Sequence, residues 1–356
     1  MKKKKRYEEI SNLLATELKT LPPNSPACSQ MGICERFKVS DGTAKKVMAQ
    51  LRADGVIYSR VGSGSFTTSQ SRRSTILMIS NLLNVAKRLN PISAGFIGGA
   101  QILCSSKYQQ YSILAADTTE LPKMASEIKS VYPGIVGVIF VRQPKLFYDY
   151  SEQLEKQGLA TAFYGSSAYF NSHRKYNYLI YNEYQIADIA VSALYNAGCR
   201  SIGCTFTSDF EVFHARHEGY RRALKKYGLK YNKDHVLDCT SIKDCEKFGT
   251  PIWKSRREAR EFFIEIDGLF CHIDRVAFNL LNSACDAGFN IPEDLKVIGV
   301  DNHPAGELFK PALASIDINV NKDAQVIVEL LIDAIEKGKR FQEFTPTPLI
   351  KRESIL

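Results

Sequence analysis

The 356-residue chain has no run of about 18 apolar residues, which excludes a membrane-spanning helix of ordinary length. It has no HExxH, no GxSxG and no phosphate-cradling P-loop, and its six histidines are scattered. His214 and His217 stand three apart on a predicted helix, but no carboxylate or cysteine pattern completes a metal site around them. A helix surface is the plainer setting for that pair, and the reading is of a chain that is not an enzyme and carries no metal or cofactor. Nine cysteines are an odd number, and spacings such as Cys28 to Cys34, Cys199 to Cys204 and Cys239 to Cys245 match neither a zinc site nor a redox pair. Reduced, mostly buried thiols are expected. There is one tryptophan, Trp253, against 36 Phe and Tyr.

Hydrophobic residues make up 44% of the chain, enough for two or three domains with real cores. The opening MKKKKR has the basic start of a secretory leader, but YEEISNLLATELKT follows with three glutamates where a leader needs an unbroken apolar stretch. A cytoplasmic protein is expected.

Charge is unevenly placed. Residues 1–73 hold fourteen Lys or Arg and six acids, so +8 of the formal +9 lies in one fifth of the chain. Such asymmetry predicts an N-terminal module that meets a polyanion and a larger, nearly neutral module with another task.

Within the basic module, Ile10, Leu13, Leu14 and Leu18 fall at helical spacing, and LPPNSP ends that helix. A second short helix fits Met31 to Phe37. Ser40 can then cap a third, with Ala44, Val47, Met48 and Leu51 on its buried side and Lys45, Lys46, Gln50 and Arg52 on the other. Gly55 stops it, and GVIYSRVGSGSFTTS reads as a hairpin with glycine at its tip. Gly62 and Gly64 allow positive φ, so the tip either turns tightly or fits closely against a phosphate backbone. Three helices and a hairpin describe a winged helix-turn-helix.

FKVSDGTAKKVMAQLRADGVIYSRVGSGSFTTS resembles the DNA-binding half of the GntR family of bacterial transcription regulators, over about residues 6–69. The resemblance implies DNA contacts from Ser40, Thr43, Lys45, Lys46 and Arg60 and from a wing tip at Gly62, Ser63 and Gly64, near the minor groove. Asp41 stands where the family has an arginine. It can accept a hydrogen bond from cytosine, or favour the helix N-terminus without touching DNA. NSPACSQMGICER is longer than the family's usual connection, so the second helix is expected to dock differently.

After a short polar linker, SRRSTI at 70–75, strand-like and helix-like segments alternate in two rounds, the second beginning at YNYLIYNE. Repeated βα units with apolar strands predict parallel sheets covered on both faces, in two lobes with a cleft between them. YNEYQIADIAVSALYNAGCRSIG, RHEGYRRALKKYGL and GLFCHIDRVAFNLLNSACDAGFNIPEDLKVIGVDNHPAGELFKPALASID resemble successive motifs of the LacI-type effector domain, and TPTPLIKRESI resembles its last strand. The likeness covers nearly all of 75–356.

The fold class expected is therefore α/β: a winged helix-turn-helix at 1–69, a linker at 70–75, and a two-lobed, type I periplasmic-binding-protein-like domain at 76–356. The resemblance implies a ligand-responsive transcription regulator, commonly a repressor. Its partners would be a double-stranded DNA operator, a small sugar-like effector and a second copy of the chain. Arg216 matches an arginine that reaches the ligand, with an ion pair on its own helix as the alternative. Asp301 matches an aspartate that accepts hydrogen bonds from sugar hydroxyls. Asp274 keeps the aspartate of a family Asn-Asp pair, but Ile273 replaces its asparagine, which puts an ordinary sugar in doubt. Trp253 is either a ring stacking on the ligand or core packing, and Phe96 is a weaker aromatic candidate. The competing class is a solute receptor without a role in gene control, which leaves the charge asymmetry and the wing unexplained.

Overall fold

The computed structural model describes residues 6–18, 20–22, 25–54, 56–60, 64–67, 74–80, 91–142, 147–169, 175–242 and 245–356. Helices α1 (Arg6–Leu18), α2 (Gln30–Phe37) and α3 (Asp41–Ala53) precede a hairpin of β1 (Ile57–Arg60) and β2 (Gly64–Thr67). Ile10, Leu14 and Leu18 of α1, Ile33 of α2 and Ala44, Val47, Met48 and Leu51 of α3 share one core with Val56 and Ile57. Leu13 falls on the outer face of α1 and is exposed.

The long connection before α2 is not a loose insertion. Ala27 N–H donates to Ser65 O at 2.8 Å and Thr67 N–H to Ser25 O at 2.8 Å, so this stretch lies along β2 as a third edge of the hairpin. Pro26 tolerates that edge because it has no N–H to pair. Ser29 then caps α2 through its hydroxyl, which accepts from Gly32 N–H at 3.0 Å.

From residue 74 the chain forms two six-stranded sheets. The first lobe holds β3 (Ser74–Ser80), β4 (Tyr111–Asp117), β5 (Ile135–Val141), β6 (Ala160–Ser166), β7 (Tyr178–Tyr181) and β13 (Gln342–Phe344), in spatial order β13-β7-β6-β5-β3-β4. The second holds β8 (Ile202–Phe206), β9 (Val236–Asp238), β10 (Gly268–Phe270), β11 (Lys296–Val300), β12 (Ala314–Ile316) and β14 (Leu349–Ile350), in order β14-β12-β11-β10-β8-β9. All neighbours are parallel except β14, which pairs antiparallel with β12. Strands such as IVGVIFV and KVIGV are apolar on both faces because helices cover both sides of each sheet.

The helices of the lobes are α4 (Pro91–Ser106), α5 (Ile128–Val131), α6 (Tyr148–Glu155), α7 (Glu183–Asn196), α8 (Glu211–Lys226), α9 (Arg256–Phe263), α10 (Asp274–Asp286) and α11 (Val320–Lys337). Two expectations are corrected. YLIY completes the first lobe's sheet as β7 instead of opening the second, so the lobe boundary falls at the start of α7. The helix expected after Glu120 is reduced to 3-10 turns at Thr118–Glu120 and Ala125–Glu127 and one α-turn, because Pro122 and Pro133 bracket it. Strand β3 begins at Ser74, inside the expected linker; residues 70–73 lie outside the described residues.

The chain passes between lobes at Tyr181 to Glu183, at Ile316 to Val320 and at Phe344 to Leu349. Helix α11 belongs to the return into the first lobe, where it packs on α4 at close range. A Cβ on Gly99 would stand 2.3 Å from the Asn321 carbonyl oxygen. Asp323, in the first turn of α11, accepts from Tyr164 Oη at 2.8 Å and Thr345 Oγ1 at 2.5 Å, tying the second and third passages to β6. Burial pushes this carboxyl up to about 6, against the pull of those two donors.

Candidate functional site

Between the lobes, beyond the carboxyl ends of β10 and β11, lies a cavity of about 270 Å³. Asp301, Asn302 and His303 after β11, Asp274 and Arg275 at the start of α10, and Asp317 and Asn319 of the second passage line it, with Asn321 of α11 and Gly95 from the first lobe.

The backbone is bent to place Asp301 there. Asp301 (φ 105°) and Asn302 (φ 48°) are consecutive non-glycine residues at positive φ, a conformation that costs energy and needs holding. Asp301 N–H donates to Ile316 O at 3.0 Å, and Asn302 N–H to Ser315 Oγ at 2.9 Å. Ser315 Oγ in turn donates to Asp274 Oδ1 at 2.7 Å, while Asp274 Oδ2 accepts from His303 N–H at 2.7 Å. Asp274 is thus a bracket for the Asp301 loop: it lines the cleft, but each carboxylate oxygen already serves the protein. Burial, with Asp301 close by, holds its carboxyl well above the usual range against those two donors. Gly299 is required behind it, since a Cβ there would fall 2.0 Å from Asp274 Oδ1.

Arg216, on α8, lies beneath the cleft and does not line it. It is 3% exposed; its Nε donates to Glu183 Oε2 at 2.7 Å, its Nη1 to the His272 carbonyl, and its guanidinium sits 5.6 Å from the Phe213 ring. The partner is on α7, not on its own helix. Asp301 is pushed up to about 6 by burial, opposed by the positive charges of Arg216, Arg142 and Arg275. His272 is pushed down to about 3 by burial and by Arg216, so it is neutral. Its Nδ1 lies 2.5 Å from Thr205 Oγ1, which also accepts from His272 N–H at 2.8 Å.

Two aromatic candidates belong elsewhere. Trp253 packs on Phe262 and Phe263 of α9, with ring centroids 5.7 and 5.1 Å away, in the second lobe's core. Phe96 is buried against Tyr164 at 4.6 Å and belongs to the main core; its neighbour Gly95 reaches the cleft instead. The sequence reading did not single out Asn302 and Asp317, which line the cavity, or Glu183 and His272, which hold Arg216 beneath it. Asn302 directly follows Asp301 after β11, where the rule that ligands lie beyond strand ends would have found it. Glu183 looked like an ordinary acid in a helix's first turn.

In the head, Lys45 and Lys46 are exposed on α3 and Thr43 is half-buried. Ser40 occupies the N-cap position, but its hydroxyl makes no capping bond and lies 3.1 Å from Thr43 Oγ1. Asp41 is 3.0 Å from Lys45 Nζ and also accepts from Gln30 Nε2, so it neutralises one of the two cations. These bonds, Lys45's first, hold its carboxyl below the ordinary range. Arg60 ends β1 opposite Gly64, which has φ 99°. Gly62 and Ser63 lie outside the described residues.

No group of three or more His, Cys, Asp or Glu among the described residues is placed to hold a metal ion, and no described helix is long and apolar enough to cross a membrane. All nine cysteines are free.

Residues 191–355 match the family model of the periplasmic binding protein-like domain. The chain is 30% identical over 179 residues to the NTD biosynthesis operon regulator NtdR of Bacillus subtilis, a match covering 49% of this chain and 52% of that protein. It is 22% identical over 329 residues to an arabinose metabolism transcriptional repressor of Halalkalibacterium halodurans, covering 89% and 85%. The match thus spans about half the length of the first relative and most of the second. Among solved structures, the transcriptional regulator CelR–cellobiose complex superposes with a TM-score of 0.60 at 19% identity, over 89% of this chain and 91% of that one. A LacI family regulator of Enterococcus faecium with bound ribose gives 0.57 at 23%, over 79% and 98%. From residue 74 onward, this chain has the two-lobed periplasmic binding protein-like fold shared by LacI-family transcription regulators.

Proposed function

We propose that this protein is a ligand-responsive, DNA-binding transcription repressor. Its sensor, at 76–356, closes on a small polar metabolite of sugar-like chemistry, and its head, at 1–69, is a winged helix-turn-helix of GntR type. The observation that carries the reading is the joining, in one chain, of a three-helix head with exposed lysines on α3 to a two-lobed cleft with Asp301 on its wall. The names of its relatives, an operon regulator and an arabinose metabolism repressor, support it. So do the cellobiose and ribose held by two structural neighbours.

Lys46, Thr43 and the wing from Arg60 to Gly64 grip duplex DNA, with Lys45 restrained by Asp41. Asp301 accepts hydrogen bonds from the ligand, while Asp274 and Arg216 position the surrounding loop and floor. Ligand closes the lobes about the three passages, and in a homodimer this alters the spacing of the paired heads on a pseudo-palindromic site. Fluorescence anisotropy with duplex from upstream of the gene tests the reading. Binding that weakens with salt and changes when a metabolite is added supports it; a chain with no affinity for duplex at low salt refutes it.

A further inference from the structure

The spacing of Cys239 and Cys245 matches no redox motif, yet the fold brings their side chains together. Ile242 N–H donates to Cys239 O at 3.0 Å and Cys245 N–H to Ile242 O at 3.2 Å, so two consecutive hydrogen bonds of turn spacing draw the cysteines toward each other. Cys239 N–H is fixed to the end of β8 by Phe206 O at 2.7 Å. The two thiols are hydrogen-bond neighbours. Cys239 is 2% exposed in the second lobe's core, whereas Cys245 packs on the edge of that core and is half-buried.

This asymmetry suits an attacking and a resolving thiol. Contact with Cys239 holds the Cys245 thiol below its ordinary value, against burial and the charges of Glu246 and Asp209, and the same contact with burial pushes Cys239 up. The thiolate is the nucleophile toward peroxides, so the more accessible sulfur is also the more reactive one.

We propose that Cys239 and Cys245 close a reversible disulfide in response to peroxide, which makes this turn a redox modification site on the second lobe. The Cys245 thiolate attacks one oxygen of hydrogen peroxide. The O–O bond breaks, the departing hydroxide takes up a proton to become water, and Cys245 is oxidised to the sulfenic acid. Cys239 sulfur then attacks Cys245 sulfur; the S–S bond forms, the S–O bond breaks, and the hydroxyl leaves as water with the Cys239 proton. In sum, two thiols and one hydrogen peroxide give one disulfide and two waters.

The turn also touches the cleft wall. Glu246 follows Cys245 and holds Arg275 Nη2 at 2.6 Å, and Arg275 lines the cavity. Asn279, one helical turn beyond Arg275 and 3% exposed, donates to Cys245 O at 2.8 Å and to Lys247 O at 3.0 Å. Drawing Cys245 from contact into covalent bonding distance shifts this loop against α10 and loosens Glu246 from Arg275. Any effect on metabolite binding rests on the cleft as the small-molecule site. The modification itself does not, and its test uses neither metabolite nor duplex.

The full chain is treated with hydrogen peroxide, denatured, alkylated and digested with trypsin, whose cleavage at Lys243 separates the two cysteines into different peptides. Expected is a crosslinked pair of these peptides, lighter by two hydrogens than their sum, with alkylation lost at Cys239 and Cys245 together and restored by dithiothreitol. Both cysteines still alkylated while the exposed Cys285 is oxidised overturns the proposal, and so does a crosslink from Cys239 to the fully buried Cys271 of the same core. In Cys239→Ala the resolving thiol is gone, so sulfenic acid is expected to accumulate at Cys245 and be trapped by dimedone; trapping no greater than in the wild type overturns the order of attack. If circular dichroism shows that variant unfolded, Cys245→Ser serves instead, in which Cys239 is expected to stay reduced and its oxidation overturns the same point. Hydrogen–deuterium exchange of the oxidised and reduced chains reads the link to the cleft: faster exchange at the start of α10 is expected on oxidation, and identical exchange there overturns that link.

Discussion

Arg216 and Glu183 form a buried pair, and removing one partner strands the other. Arg216→Ala leaves a carboxylate at 0% exposure without its cation and is expected to cost about 3–5 kcal/mol of stability. The double variant Glu183→Ala/Arg216→Ala removes the stranded charge and is expected to recover a large part of that loss; urea denaturation of the single and double variants reads both. Asp301 is the better probe of the ligand. Asparagine tolerates positive φ, so Asp301→Asn keeps the loop and removes the charge. With its carboxyl near 6, Asp301 is ionised at pH 7 and mostly protonated at pH 5, so ligand affinity is expected to fall about tenfold between them in the wild type. It is expected to stay flat in Asp301→Asn, as calorimetry at both pH values would read. Stability moves the opposite way. Asp301 and Asp323 both have folded-state values near 6, above their ordinary 3.8, so the folded chain holds protons that the unfolded chain releases. Their joint contribution therefore declines as pH rises from about 4 to about 6 and is constant above.

At the scale of elements, α3 carries one lysine paired with Asp41 and one, Lys46, that makes no ion pair among the described residues. Lys46→Ala is expected to lower the slope of log affinity for duplex against log salt by about one. Lys45→Ala is expected to do less, since Asp41 already pairs with it. Asp41→Asn releases Lys45 and is expected to strengthen binding to random duplex and steepen its salt dependence. Packing of α4 on α11 gives a separate check: Gly99→Ala drives a Cβ into the Asn321 carbonyl and is expected to cost about 1–3 kcal/mol. The buried faces of α1 to α3 and the apolar strands of both lobes were legible in the sequence, because period 3.6 and unbroken apolar runs reflect burial directly. The placement of β7 was not, since a strand's own pattern does not say which sheet it joins. Arg216's role was half legible. Its motif placed it near the cleft, but its partner is 33 positions away in sequence, and only tertiary packing brings Glu183 to it. Trp253 and Phe96 show the same limit: an aromatic at a familiar position packs wherever a core is within reach.

For the whole molecule, the three passages between lobes set what can move. Asp323 fastens two of them to β6, while the Asp274–Ser315–His303 bracket fixes the ligand-facing loop to the second lobe. In the proposed function, closure about these passages moves each lobe as a unit, and a ligand contact at Asp301 is thereby carried to the head. The most direct measurement is duplex binding by the full chain, followed by anisotropy with and without the metabolite chosen by thermal shift, in wild type and Asp301→Asn. A change in affinity of fivefold or more is expected in the wild type and none in the variant, about 1 kcal/mol of coupling. A wild-type chain that binds both duplex and metabolite with neither affecting the other would contradict the account.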